Sequence, residues 1–545
     1  MHSSIVRNAL AGPRHDRRAL PLIAVAASLV VAVPLAAATA DATSATPIAA
    51  IDLVGHGYGP GFGMGQWGDF GDAVRYHETY AQILSHFYGG TVASSLEGSG
   101  LGANPTISVV ILENVKPDGM AGYDPVVTSP SAFTVTGAGS IPPTTTTSAT
   151  APTVTTSSTT TSSTTPTTTS LPTTTSSTTA MTAPATPPTT RPASSPTSLA
   201  LPSSTTSTST TSTTSATTAP SSTTTTTVPA EGLAVPAGMA VDLRLTRAGT
   251  WSVYESTSCA TARASAGRSV PVATGLVDPT IRPASASADA PPVSLLTLCR
   301  HDGIDEVVRG DVEAYDWSGH ERTLNLLPLQ SYLDGVVPAE ESPAWGSAGA
   351  VQGAPQGRAW GFQALEAQAV ASRSYAAAYL EAGGWEGYAS ICDTVCEAYV
   401  GENFESSMTD AAVVATFGVV RVDRSTGDVA LTSYSASSGG WTALSAFPAV
   451  PDPGDACVVA GNPLECNPNH TWQLTFPSPL VSRRIPGIGP LVGVTVLARN
   501  QRGSLGGRVE SIVVTGTKSS TTLTGWEFAT ALGLPSDWFA VTSAT

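Results

Sequence analysis

Glu340 follows Val336-Val337-Pro338-Ala339 and precedes Pro343 and Trp345. A carboxyl in so apolar a setting resists ionisation and can keep a proton near neutral pH, as a general acid must. The rival reading is a carboxylate at a helix N-terminus, facing water. Glu341 follows directly and competes for the same role. Arg373 could hold a carbonyl or carboxylate, or pair with Glu340; a tight pair would lower the glutamate's pKa and oppose the acid role. Its plainer reading is an arginine on a helix surface. Tyr434 opens a run of small residues, Ser435 to Gly440, where backbone can be approached closely. His56 begins a segment in which glycine recurs at every second position from Gly55 to Gly65. That segment partly fits a dinucleotide-binding glycine pattern, but no strand–helix–strand unit follows, and the reading is rejected. Cys392 and Cys396 are spaced to hold zinc or to form a disulfide. No histidine lies beside them, which favours the disulfide and leaves no cofactor expected.

These residues need elements to hold them. Gln363 to Leu380 is alanine-rich with apolar residues at helical spacing, and Gly383-Gly384 ends it. The segments within 239–324, and Val413–Val422, Val429–Ser433, Leu491–Leu497 and Val509–Val514, read as strands. A helix is predicted from Asp72 to Tyr88 and a strand over Ile107–Leu112. The pattern predicts an α+β fold with antiparallel sheets around an alanine-rich helix. Residues from about 141 to 230 are almost entirely Thr, Ser, Pro and Ala, with Arg191 the only charge between Pro142 and Val228. Such a tract cannot bury a core and should be disordered or extended, either a spacer or a tolerated insertion. Arg7, Arg14, Arg17 and Arg18 precede an apolar run that ends at Ala38-Thr39-Ala40. This is the anatomy of an export signal over 1–40, with an uncleaved membrane anchor as the alternative. The formal charge of −16, without a basic patch beyond the N-terminus, argues against nucleic acid and against an anionic membrane surface. Six cysteines suit an exported chain, with Cys392/Cys396, Cys457/Cys466 and Cys259/Cys299 the pairs suggested by proximity.

Several motifs carry a family resemblance. They are Leu327 to Glu340, Ala364 to Tyr375, Ser433 to Trp441, Gly55 to Gly68 with Tyr80 to Gly90, and the tail from Gly525 through Phe539. Together they resemble the stage II sporulation protein D / amidase-enhancer (LytB-type) family. In that family the Gly-His-Gly segment follows the tail, so this chain resembles a circularly permuted member. The resemblance divides it into a permuted segment (51–140), a Ser/Thr/Pro linker (141–230) and a main domain (231–545). It implies that residues 51–90 pack against the C-terminal region. It also implies a secreted, cell-wall protein acting on peptidoglycan glycan strands as a lytic transglycosylase. Glu340 would be the catalytic group, with Arg373, Tyr434, His56 and Gln66 as substrate contacts. The enhancer branch implies the alternative of a non-catalytic regulator of a cell-wall amidase, and a wall-binding module is a third reading. Some relatives hold a metal with Cys and His, which keeps zinc at Cys392 and Cys396 as the minor reading.

Overall fold

The computed structural model describes residues 46–116, 121–140, 232–264, 270–287, 289–456 and 466–544. The export signal over 1–40 and the tract over 141–230 lie outside the described residues, as does Cys457. Eight α-helices are present among them: α1 (Gln66–Tyr76), α2 (Tyr80–Phe87), α3 (Cys259–Ala264), α4 (Leu329–Glu340), α5 (Phe362–Glu381), α6 (Ser407–Ala415), α7 (Ser478–Arg484) and α8 (Gly525–Leu532).

A twelve-stranded sheet forms one side. Its central run is antiparallel: Ala240–Leu245, Trp251–Ser256, Ala273–Arg282, Asp311–Trp317, His320–Pro328 and Thr106–Val110. The short edge strand Ile391–Cys392 joins Thr106–Val110 in parallel. The face of this sheet packs with α4 and α5 into one core, through Val109, Val312, Leu327, Leu333, Val336, Ala369 and Ala377.

Helix α5 is the hub. Fifteen of its twenty residues are buried, among them six alanines. Small side chains allow neighbours on every side, where an amphipathic stripe would serve only one. Its Ala364, Ala367, Val370 and Ala371 meet α1 and α2 through Phe70, Ile83, Leu84 and Phe87.

The first strand of the described residues is held between two others. Ala50–His56 buries alternate residues and lies between Thr471–Pro477 and Phe539–Ala544, antiparallel to both. Gly55 faces Trp472 in this register, and a Cβ on Gly55 would sit 2.2 Å from the indole. The segment 51–90 therefore packs against the C-terminal region, and the two share one core with Ile512, Phe528 and Phe539.

Three expected elements differ. The helix over 72–88 is two helices: His77 turns left-handed (φ 57°), and Thr79 with Gln82 starts α2 as a capping box. The strand over 413–422 is the end of α6 followed by a strand at Val419–Asp423, because Ser406 caps a helix that runs through Ala415. The stretch 429–433 is irregular beyond a single bridge at Val429, and side chains hold it: Tyr88 donates to the Thr432 and Ser433 carbonyls, and Thr432 donates to Ala371.

The strands that flank the tract in sequence pair with each other, since Phe133–Ser140 is antiparallel to Leu233–Val235. Replacing residues 144–227 by a short Gly/Ser loop should leave the circular dichroism unchanged. The shorter closure should raise stability by up to about 2 kcal/mol in a urea titration, since each halving of a flexible loop is worth about 0.6 kcal/mol. Loss of cooperative unfolding would show that the tract is part of the fold.

Candidate functional site

Glu340 is the last residue of α4, not an N-terminal one. The chain leaves the helix extended at Glu341 (φ −126°, ψ 143°), and Pro343 holds the next residue, Ser342, extended as well. The two consecutive glutamates consequently diverge. Glu340 is half-buried and meets three separated stretches of chain. Its Oε1 accepts from the Ala398 N–H at 2.7 Å, and its Oε2 accepts from the Gln66 amide at 3.0 Å. Burial raises its pKa, and the bonds from Ala398, Gln66 and Tyr434 oppose that rise.

Gln66 opens α1 at the end of the glycine segment. Gly57, Gly59, Gly61 and Gly63 all take positive φ, which explains the alternation. Met64-Gly65 then pairs in parallel with Tyr434-Ser435, which brings Gln66 and Tyr434 to the same place. The Tyr434 hydroxyl donates to Glu397 Oε1 at 2.9 Å, and Ser372 of α5 donates to it at 3.4 Å. Tyr332, two turns before Glu340 on α4, donates to Glu397 Oε2 at 3.0 Å. Burial and the nearby Glu340 push the Glu397 carboxyl up to about 8.

Cys392 and Cys396 form a disulfide (Cα–Cα 5.3 Å), and so do Cys259 and Cys299 (5.4 Å). The first closes the loop that delivers Glu397 and Ala398 to Glu340. Cys466 is also disulfide-bonded.

Arg373 and His56 make their bonds to groups other than Glu340. Arg373 is only 1% exposed; it binds the Val413 and Val419 carbonyls at 3.1 Å and the Thr416 hydroxyl. It caps the end of α6 and ties it to the following strand, neither reaching Glu340 nor lying on the helix surface. Burial pulls its pKa to about 9. His56 has both ring nitrogens engaged, by the His470 carbonyl at 3.2 Å and by the Ser504 hydroxyl at 2.7 Å, and packs beside Trp538. The glycine segment reaches Glu340 through Gln66 instead.

Glu397 and Tyr332 escaped the sequence reading. Tyr332 lies eight residues before Glu340, on the same helical face, a spacing that was available in the sequence. Glu397 had only its place beside Cys396. Glu341 was weighed only as a rival to Glu340; it is 1% exposed and faces Asp69, which is fully buried. Neither carboxyl finds another donor among the described residues. Burial holds both well above the ordinary carboxylate range; at Asp69 the charge and the bond of Glu341 add to the rise, and at Glu341 the charge of Glu340 adds to it while the bond from Asp69 opposes it. Burial also pushes Asp72 to about 7.

These raised carboxyls bind protons in the native state that the unfolded chain has released. Their contribution is full below about pH 4, where the unfolded groups are also protonated, and is lost as pH rises through the native values. Thermal melts should thus show the midpoint falling between about pH 5 and pH 8. Glu341→Gln supplies a donor to Asp69, and should raise the midpoint at the upper end and flatten the slope. A flat wild-type profile would contradict this. Arg373→Met removes the buried guanidinium donors to the Val413 and Val419 carbonyls and should cost on the order of 3 kcal/mol in a urea titration.

Residues 318–422 match the family model SpoIID, stage II sporulation protein. No curated protein and no solved structure matches the chain. The matched stretch contains Tyr332, Glu340, Arg373, the Cys392–Cys396 disulfide and Glu397, while Gln66 and Tyr434 reach the site from outside it. Residues 318–422 are thus similar to the SpoIID domain of stage II sporulation proteins, and this matched stretch carries Glu340.

Proposed function

We propose that the chain is an exported peptidoglycan lytic transglycosylase, cleaving between N-acetylmuramic acid and N-acetylglucosamine to leave 1,6-anhydro ends. The observation that carries this reading is Glu340: a half-buried carboxyl with a raised pKa, held by donors from three stretches of chain. Its position at a helix C-terminus adds to the preference for the neutral form, because the helix dipole disfavours an anion there. In the reaction Glu340 gives its proton to the glycosidic oxygen and the bond from C1 breaks. The sugar's own C6 oxygen then attacks C1, and its proton returns to Glu340. No water enters and no cofactor is needed, so one carboxyl serves as acid and then base. Tyr434 and Gln66 hold that carboxyl in place and flank the approach to it. The export signal over 1–40 would deliver the protein to the wall, with no membrane contact after cleavage. Among the described residues no helix is long and apolar enough to cross a membrane.

Two observations favour the regulator reading, in which the chain stimulates a cell-wall amidase without cutting glycan. Both oxygens of Glu340 already accept N–H bonds, and Arg373 is sealed in the core.

The experiment is Glu340→Gln assayed on glycan strands stripped of stem peptides. The amide keeps the shape and cannot deliver an acid proton, so the rate should fall by on the order of 10²–10⁴ with folding intact. Mass spectrometry of the wild-type products should show anhydro-muramyl ends, one water lighter than hydrolysis products. Wild-type protein that releases no such ends, yet speeds an amidase equally well with or without the substitution, would establish the regulator.

A further inference from the structure

The Glu340 carboxyl is not alone. Glu397 is 2% exposed, and Ala398, the next residue, donates its N–H to Glu340. The Tyr434 hydroxyl donates to Glu397, and its bond to Glu340 is among those that act on the Glu340 carboxyl. A phenol has one proton to give and lone pairs to receive one, so it can link a protonated Glu340 to an ionised Glu397. The groups facing Glu397 are Glu340 and Tyr332 on α4, Ser372 and Tyr375 on α5, Tyr434 from the strand beside Met64, and Tyr88 after α2. Asp393 bridges to it across the disulfide loop. Each of these is a carboxyl, a phenol or a hydroxyl. In a site so poor in positive charge, two adjacent carboxylates repel, and the pair retains one proton long after a lone glutamate would have lost it.

We propose that Glu397 is a positioning residue that shares one proton with Glu340 through Tyr434, so that the proton donor to the glycosidic oxygen is the pair rather than Glu340 alone. This rests on the transglycosylase reading. The proton balance of the reaction is unchanged: the pair gives one proton to the leaving oxygen and recovers one from the C6 hydroxyl. The value of about 8 for Glu397 agrees with a last proton leaving above neutrality.

The test uses the full chain with glutamate side-chain carboxyls labelled with ¹³C, titrated by NMR, beside the pH profile of anhydro-end release. Glu397→Gln should move the Glu340 titration, and with it the alkaline limb of kcat/KM, down by about one pH unit. A merely structural Glu397 would scale the rate at every pH and leave the limb in place. Tyr434→Phe keeps both carboxyls and removes a donor that favours their ionised forms. It should move the last titration upward, which keeps the proposal open to test if Glu397→Gln folds poorly. An active wild type whose Glu340 titration ignores both substitutions overturns the pair. A wild type that releases no anhydro ends at any pH overturns the transglycosylase reading, and the donor role with it, whatever the titrations show.

Discussion

Everything in the site leans on one buried helix. Helix α5 has neighbours on all sides, which a helix can have only if its residues are small where partners come close. Alanines at 364, 367 and 371 admit α1 and α2, and alanines at 369, 376 and 377 face the sheet core. Several of its polar side chains are anchors. Ser374 receives the Arg421 N–H, Ser372 meets Tyr434, and Gln363 receives the Tyr80 N–H. Through these bonds α5 fixes the strand, the small-residue loop and α2 relative to one another. Glu340 rides on α4, packed on the same helix.

The cost of this arrangement is a crowd of buried carboxyls. Asp69, Glu341, Asp452 and Glu397 are each at most 2% exposed, and burial raises the pKa of each. Ionised groups in such surroundings need donors, and the supply is uneven. Glu397 has two phenols and Glu340 two N–H groups, whereas Asp69 and Glu341 have only each other. Gly65 and Gly68 lack side chains where the Asp452 carboxylate lies, with a Cβ on either meeting its oxygens within 2.6 Å. The glycines of this motif thus serve two ends: positive φ in its first half, and room for an acid in its second.

The α5 hub was legible because alanine spacing and a Gly-Gly stop are local signals, and the structure places the helix at Phe362–Glu381. The C-terminal strands at Leu491–Arg499 and Val509–Gly516 were legible for the same reason. Glu340 drew attention by its apolar surroundings. The role of Arg373 was not legible, because its type and position on a helix say nothing about which carbonyls face it; three partners 40 to 46 residues away decide that. The break at His77 was missed because apolar spacing persists across it while a capping box restarts the helix. His56 drew a substrate role from its motif, yet its ring nitrogens are taken by groups more than 400 residues away.

Those separations bear on chain order. Gln66 and Glu340 are 274 residues apart, and Ala50–His56 is paired to strands more than 400 residues distant. None of these contacts is local, so none depends on which end of the chain the glycine segment occupies. What the fold requires is that the segment enter as the middle strand between Thr471–Pro477 and Phe539–Ala544, and leave through Gln66 toward α4. A chain that begins with this segment meets both conditions, provided its return to the main sheet is long enough. Phe133–Ser140 makes that return by pairing with Ala273–Arg282 and with Leu233–Val235, on the far side of the Ser/Thr/Pro tract. The tract therefore joins two strands that are already neighbours, and the geometry of the Glu340 site asks nothing more of it.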